Sequence, residues 1–263
     1  NAFNSIFDNV AKGVAVEINA VGEGPGVPVV MVDDLRKNQK ELGIERLAVD
    51  NSGPVTLADA SGRAIQSGGA PSIGMSYLPP DQAVGEESTI ISGRAPERAG
   101  EIALNSEAAS KGDLKIGSKT KLVVGAGLAK PMEVTVVGIT EMPSSSGGFI
   151  GVMFDKDTAA KLFSDGKYVA TVGLAARAGV TDVQLRDAVQ AHLEGVLKAQ
   201  DPKIDFDEVY QVRTGDQVRE DAKANIDQFL TIFRAILLAF AAIGLLVGTF
   251  IIYNTFSMIV AQR

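Results

Sequence analysis

The longest hydrophobic run lies in the C-terminal part of the chain. Residues 235–262 carry no charged side chain, and residues 235–253 have only Thr249 and Tyr253 as polar members. A bilayer core of about 30 Å requires roughly 20 apolar residues in an α-helix. The pattern therefore predicts a transmembrane helix, assigned to 235–263. A buried core helix is the alternative, but such a helix rarely stays uncharged on every face.

A charged segment with helical periodicity precedes this predicted span. In residues 216–234, apolar side chains recur three or four positions apart, which places them on one helix face. They are Val218, Ala222, Ile226, Phe229 and Phe233. No Pro or Gly separates the segment from the span. We therefore predict one continuous helix whose outer part is a stalk, with this face against another helix.

Small residues recur on one face of the predicted span. Gly244 and Gly248 form a G-x-x-x-G motif, and Ala241 extends the same face. Small residues at this spacing allow a second helix to approach closely, so these three are candidates for helix packing. The alternative is that glycine is simply frequent in membrane spans.

Strand and helix patterns alternate through residues 1–215, the predicted ectodomain. Alternating apolar positions in 14–18 are typical of a half-buried strand, and helical spacing occurs in 183–198. Residues 86–142 instead contain short strand patterns separated by glycine turns. We predict an α+β fold with a two-part ectodomain, in which a small β-rich lobe at about 86–142 is inserted into an α/β lobe. The two α/β halves should pair in one layer.

Several polar residues predict where elements begin. Ser106 and Thr181 fit helix N-caps, and Asp155 or Asp157 fits the cap of a short helix between them. Residues 204–212 have the pattern of a last strand before the stalk.

Composition narrows the classes of partner. The chain has 32 acidic and 25 basic residues and a net charge of −7. An acidic surface does not attract nucleic acid. The chain has no cysteine, which excludes disulfides, thiolate metal sites and cysteine nucleophiles.

No motif indicates catalysis. His192 is the only histidine, so no second imidazole can share a metal ion, and residues 155–158 lack the glycine and the closing glutamate of a calcium loop. Gly125-x-Gly127 lacks the partners of a phosphate loop, and serines 144–146 lack a nucleophile elbow. We expect no catalytic residue, no metal site and no cofactor.

The most specific motif ends the chain. Residues 250–263 read F-x-I-Y-N-T-F-S-x-x-V-A-Q-R, after a charged helix and a compact ectodomain. This motif, with EIALNSEAASKGDLKIGSKTKL at 101–122 and MEVTVVGI at 132–139, resembles the FtsX-like (MacB-type) ABC transporter permeases, particularly their actinobacterial branch. The resemblance covers nearly the whole chain, as a periplasmic core domain and a second transmembrane helix.

The resemblance implies a fragment of a permease subunit in the cell membrane, with its ectodomain on the extracytoplasmic side and further helices outside this chain. It implies a separate ABC ATP-binding subunit, and a permease dimer mate or second permease half. ATP hydrolysis would move the ectodomain, a mechanism called mechanotransmission, to export or extrude a lipid, a lipoprotein or a peptide. Membrane lipid and an envelope protein complete the expected partners, and no substrate-binding residue carries over.

Two other functions stay open at this point. A regulatory module of the same fold would activate a cell-wall hydrolase, and stable capture of a hydrolase by the ectodomain would favour it. A membrane-anchored enzyme is disfavoured because the sequence shows no motif for a catalytic nucleophile, no group of metal-ligating residues and no cofactor-binding loop. Basic residues near the span favour its N-terminal side as the cytoplasmic one, since Arg219, Lys223 and Arg234 precede it and Arg263 follows. The orientation stays open because the flank beyond Arg263 cannot be counted from this sequence.

Overall fold

The structure is a computed structural model that describes residues 13–22, 24–85, 87–125, 130–141 and 148–261, with the backbone alone at 225–227, 229, 256, 260 and 261. Its helices are α1 (Val29–Lys37), α2 (Gln39–Leu42), α3 (Ser106–Gly112), α4 (Lys156–Phe163), α5 (Asp182–Gln200), α6 (Phe206–Val209) and α7 (Gly215–Ala261). Its strands are β1 (Val16–Ala20), β2 (Val27–Pro28), β3 (Ile44–Asp50), β4 (Ser52–Leu57), β5 (Ser72–Ser76), β6 (Thr89–Gly93), β7 (Glu101–Asn105), β8 (Lys119–Val124), β9 (Met132–Glu141), β10 (Ile150–Phe154), β11 (Tyr168–Val169), β12 (Thr171–Ala176) and β13 (Tyr210–Thr214). The chain divides into two compact units, which meet between Val218 and Arg219.

The first lobe of the N-terminal unit is a four-stranded sheet with helices connecting its strands. The strand order is β13-β1-β12-β3, and all neighbours are antiparallel. Helices α1 and α2 lie between β1 and β3, and α5 and α6 lie between β12 and β13. This is the β-α-β-β-α-β arrangement of ferredoxin-like folds. The halves before and after the insertion therefore do pair in one sheet.

A single apolar core lies between this sheet and its helices. Alternation along β1 buries Val16 and Ile18, and residues four positions apart on α5 form the facing stripe: Leu185, Val189 and Leu193. Thr181 caps α5 as predicted. Its Oγ1 accepts a hydrogen bond from the Gln184 backbone N–H at 3.2 Å, and its own N–H donates to Gln184 Oε1 at 3.0 Å.

The second lobe is a β-barrel built by the chain between β3 and β12. Its sheet has the order β6-β9-β7-β10-β5-β4-β8, and a further pairing of β8 with β9 closes the strands into a ring with β6 outside it. Closure is possible because β9 pairs with β7 over residues 135–140 and is long enough to pair also with β8 near its start and with β6 near its end. All residues of β7 and β10 are buried, since helix α3 packs outside both.

The predicted bounds of the β-rich lobe are wrong. Strands β4, β5 and β10 lie outside residues 86–142, yet they belong to the same sheet as β7, β8 and β9. The lobe therefore begins at Ser52 and includes α4, which packs on β4 and β5. Local patterning identifies a strand but not its partner, and these pairings join segments that are far apart in sequence.

The predicted cap at Ser106 is also wrong by one residue. Asn105 is the N-cap, and its Oδ1 accepts hydrogen bonds from Ala108 N at 3.1 Å and from Gly151 N at 2.9 Å. Its Nδ2 donates to Phe149 O at 2.9 Å. This buried amide therefore ties the start of α3 to β10.

The predicted last strand at 204–212 is divided in the structure. Asp205 accepts a hydrogen bond from Asp207 N at 3.1 Å and begins the short helix α6, so the strand starts only at Tyr210. Asp residues at such positions favour a helix start because their side chain replaces a missing backbone acceptor. Asp155, rather than Asp157, caps α4 by accepting from Thr158 N at 3.0 Å.

Glycine in two barrel strands makes room for α4. A Cβ on Gly74 would lie 2.6 Å from Phe163 Cζ and 2.7 Å from Val55 Cγ1, and one on Gly53 would lie 2.7 Å from Phe163 Cδ1. The Phe163 ring, which also meets Phe154 edge to face at 5.9 Å, therefore packs directly on the backbone of β4 and β5.

We predict that Gly74→Ala lowers the free energy of unfolding by about 1–3 kcal/mol, because the added methyl overpacks this contact. Gly195→Ala is the matched control, since nothing lies within 4 Å of its Cβ position in α5. It should be neutral or stabilise by up to about 1 kcal/mol through helix propensity. Denaturant unfolding followed by circular dichroism measures both. Equal stability of Gly74→Ala and the unchanged chain would contradict the packing described.

An arginine cluster holds the start of β7. Glu101 is 6% exposed, and its carboxylate accepts from Arg94 Nη1 at 2.8 Å, Arg94 Nη2 at 2.7 Å and Arg98 Nε at 2.8 Å. The Glu97 backbone N–H also donates to it, at 3.2 Å. The hydrogen bonds from Arg94 are the main cause that lowers the pKa of Glu101 from 4.5 to about 2.

This shift predicts a pH dependence with a definite sign. Because the pKa is lower in the folded state, ionised Glu101 stabilises the fold above pH 4.5, and that stabilisation is lost as pH falls toward 2. Glu101→Gln should therefore be less stable than the unchanged chain at pH 7, and the difference should shrink between pH 4.5 and 2. Glu133→Gln, an exposed acid on β9, serves as control and should show no such convergence. A difference that is constant with pH would contradict the assignment.

Candidate functional site

Helix α7 contains both the predicted stalk and the predicted span. It begins directly after β13, where the Gln217 N–H donates to Thr214 Oγ1 at 3.3 Å and the Thr214 N–H donates to Gln217 Oε1 at 2.9 Å. This reciprocal pair is a capping box. The helix is 47 residues long, so the prediction of one helix for stalk and span is confirmed.

The apolar part of α7 has the composition of a membrane span. Within the described chain, one helix is long and apolar enough to cross a membrane. Its apolar part is Leu230–Ile259, which has a mean hydropathy of 2.7 and whose most apolar stretch has no buried residue. Large side chains such as Leu245 and Leu246 are 74% and 71% exposed. A surface this apolar requires a covering of lipid or protein.

Two threonine hydroxyls of the span are satisfied within the helix. Thr249 Oγ1 donates to Leu245 O at 2.8 Å, and Thr255 Oγ1 donates to Ile251 O at 2.8 Å. Hydroxyls bonded to the carbonyl four residues earlier leave no unmet donor in a hydrocarbon environment. These two threonines therefore fit the membrane assignment.

The three candidates for helix packing lie on one accessible face of α7. At about 100° per residue, Ala241, Gly244 and Gly248 fall within one narrow sector, and a Cβ at either glycine would meet no atom within 4 Å. Thr255, which the sequence reasoning missed, follows Gly248 by seven residues and lies in the same sector. The backbone is therefore open to a second helix here, and packing at this face stays a prediction.

The stalk face is described only in part. Val218 and Ala222 are half-buried, and Phe233 is 47% exposed. The side chains of Ile226 and Phe229 lie outside the described residues. Contact of this face with another helix therefore also stays a prediction.

The described residues show no arrangement typical of catalysis. No three His, Cys, Asp or Glu side chains among them are grouped as metal ligands. His192 Nε2 lies 2.6 Å from Asp34 Oδ2, a contact that joins α5 to α1 in the first lobe. Two of the motifs considered above, Gly125-x-Gly127 and serines 144–146, fall wholly or partly outside the described residues.

The fold is similar to that of a solved periplasmic domain. No family model matches the chain, and no curated protein matches it. The periplasmic region of MacB from Actinobacillus actinomycetemcomitans is similar with a TM-score of 0.54 and 12% identity, over 83% of this chain and 98% of that one. The extracellular domain of the noncanonic ABC-type transporter YknZ from Gram-positive bacteria has a TM-score of 0.46 and 12% identity, over 76% and 99%. The likeness to the MacB region confirms the expected fold.

We predict that replacing both Gly244 and Gly248 with Leu weakens association of α7 with a second copy at least tenfold, because the added side chains keep the helix backbones apart. The matched control replaces Ala239 and Ala242 with Leu, a similar small-to-large change on the opposite face. Energy transfer between labelled copies in lipid vesicles measures association, and the absence of native cysteine allows one labelling site. Unchanged transfer in the glycine variant, or an equal loss in the control, would contradict this packing face.

Proposed function

We propose that this chain is part of an ABC transporter permease of the FtsX-like (MacB-type) class and couples ATP hydrolysis in a separate subunit to movement of an extracytoplasmic domain. The observation that carries the proposal is helix α7, which starts at the last strand of an ectodomain with the fold of the MacB periplasmic region and continues into an apolar span.

The parts of the chain have distinct roles in this proposal. Residues 1–215 are the extracytoplasmic core domain, 216–234 the stalk, and 235–263 the transmembrane helix. A straight helix rises about 1.5 Å per residue, so α7 would be roughly 70 Å long. A helix of that length spans a bilayer core with about half its length to spare, which makes α7 suitable as a mechanical element between membrane and ectodomain.

The proposed chemistry lies outside this chain. ATP hydrolysis belongs to an ABC ATP-binding subunit, and the helix-packing face with Gly244 and Gly248 contacts a dimer mate or a second permease half. The work done by the ectodomain is export or extrusion of a lipid, a lipoprotein or a peptide from the membrane region. We place the chain in the cell membrane with its ectodomain outside, and the likeness to a periplasmic region of MacB supports this side.

The test introduces a hinge into the stalk. Replacing Lys223 and Ala224 with Gly should cost about 2 kcal/mol of local helix stability and add flexible backbone, whereas Ala at both positions keeps the helix. Both variants are made in the complete transporter with its ATP-binding subunit. A spin label on a cysteine at Lys115, an 84% exposed side chain of the barrel, reports distances between ectodomains.

We predict that the glycine variant hydrolyses ATP within about twofold of the unchanged protein but loses at least half of the ATP-dependent change in distance. The alanine control should retain both. A full distance change in the glycine variant, with helix disruption shown by circular dichroism, would refute the proposed coupling.

A further inference from the structure

Helix α7 carries a second row of exposed side chains, which runs through its apolar part and ends on an amide. Its members recur at alternating steps of four and three residues: Ile236, Phe240, Ile243, Val247, Phe250 and Asn254. The five apolar members are between 48% and 68% exposed, and Asn254 is exposed as well. Alternating steps of four and three are the spacing of the seam between two membrane helices that cross at about 20°. The row therefore has the pattern of a helix-packing face.

This row is distinct from the face of Ala241, Gly244 and Gly248. At about 100° per residue, the row is centred about 110° around the helix from that face. The two faces therefore suit two different partner helices. Phe233, the last member of the stalk face, precedes Ile236 by three residues. The row thus continues the predicted stalk face into the span.

Asn254 lies within the hydrocarbon core when the span is centred between its flanking charges. Arg234 and Arg263 bracket the charge-free segment, and charged side chains stay near the membrane surfaces. At a rise of about 1.5 Å per residue, Asn254 is about 8 Å from the midpoint between the two arginines. Half the thickness of the core is about 15 Å. At that depth the amide has no access to bulk water.

The amide of Asn254 differs in this respect from the threonine hydroxyls of the span. Thr249 and Thr255 each donate to the carbonyl four residues earlier. The side chain of Asn254 has no hydrogen-bond partner among the residues that the structure describes. An amide offers two N–H donors and a carbonyl acceptor, and unmet polar groups are costly in hydrocarbon. A polar group on another helix would remove that cost.

We propose that Asn254 forms a hydrogen bond with a hydroxyl or amide side chain of a further transmembrane helix of the permease, and that this helix packs along the row from Ile236 to Asn254. It is a different helix from the one at the glycine face. The inference rests on the proposed function only in that the permease has helices beyond this chain. A neutral partner fits because a charge at this depth is costly. One polar contact on an apolar seam fixes how two helices align along each other, and here it would fix the height of the stalk.

The test compares Asn254→Leu with Thr249→Val in the complete transporter. Unfolding is measured in mixed micelles of lipid and sodium dodecyl sulfate without ATP, so a failure of the proposed coupling to ATP hydrolysis does not affect the result. Asn254→Leu should raise the unfolding equilibrium constant at least threefold, although leucine is the more apolar residue. Asn254→Gln keeps an amide and should be less destabilised. Thr249→Val should stay within twofold, because that hydroxyl bonds its own helix.

Self-association of the chain alone identifies the partner helix. In lipid vesicles, energy transfer between labelled copies of Asn254→Leu should stay within twofold of the unchanged chain. The proposal is overturned if Asn254→Leu raises the unfolding constant of the complete transporter less than threefold or lowers it, since water or lipid headgroups would then satisfy the amide. It is also overturned if Asn254→Leu weakens self-association more than twofold, since the partner would then be a second copy.

Discussion

The pairing of β12 with both β1 and β3 is the contact on which the ectodomain depends. β3 is the last element before the barrel and β12 follows it, so their antiparallel pairing brings the two ends of the inserted lobe together. β12 also pairs with β1, and β1 in turn holds β13. Strand β13, from which α7 begins, therefore belongs to a sheet that is complete only when β12, the strand after the barrel, pairs with β1 and β3.

The insertion is stable because each lobe buries its own core. The apolar clusters of the sheet and of the barrel share no residue, and ring closure leaves the barrel without two long free edges, which would favour aggregation. The connection after β5 then packs on the polar face of the first sheet. Arg46 Nη1 donates to Pro80 O at 3.1 Å, and a Cβ on Gly173 would lie 3.3 Å from Val84 Cγ1. The lobes thus meet through both polar and apolar contacts of this connection.

Features set by neighbouring residues could be predicted, and features set by distant contacts could not. The span follows from composition alone, and the Thr181 cap from a four-residue pattern. Asn105 and Ser106 are both good capping residues, and only the hydrogen bonds of Asn105 to Phe149 and Gly151 decide between them. The barrel bounds failed for the same reason, because β4, β5 and β10 find their partners across long stretches of chain.

The candidate sites differ in the same way. The face of Ala241, Gly244 and Gly248 can be read from spacing, since helix periodicity alone places them together. The crevice between the lobes gives no such signal, because Asn51, Ser76 and Lys156 come from three separate segments and each has an ordinary neighbourhood in the sequence. Only the folded chain brings them together.

The proposed relay would enter the ectodomain through β13. Gly215, the first residue of α7, donates its N–H to Ala15 O at 3.1 Å, which extends the ladder between β13 and β1 by one bond. Beside it, Arg213 Nη2 donates to Glu17 Oε1 at 2.9 Å and to Asn19 Oδ1 at 3.2 Å. Displacing the start of α7 would thus load several parallel hydrogen bonds and an ion pair at once. Because β1 pairs with both β12 and β13, such a load would pass into the central strands of the first lobe.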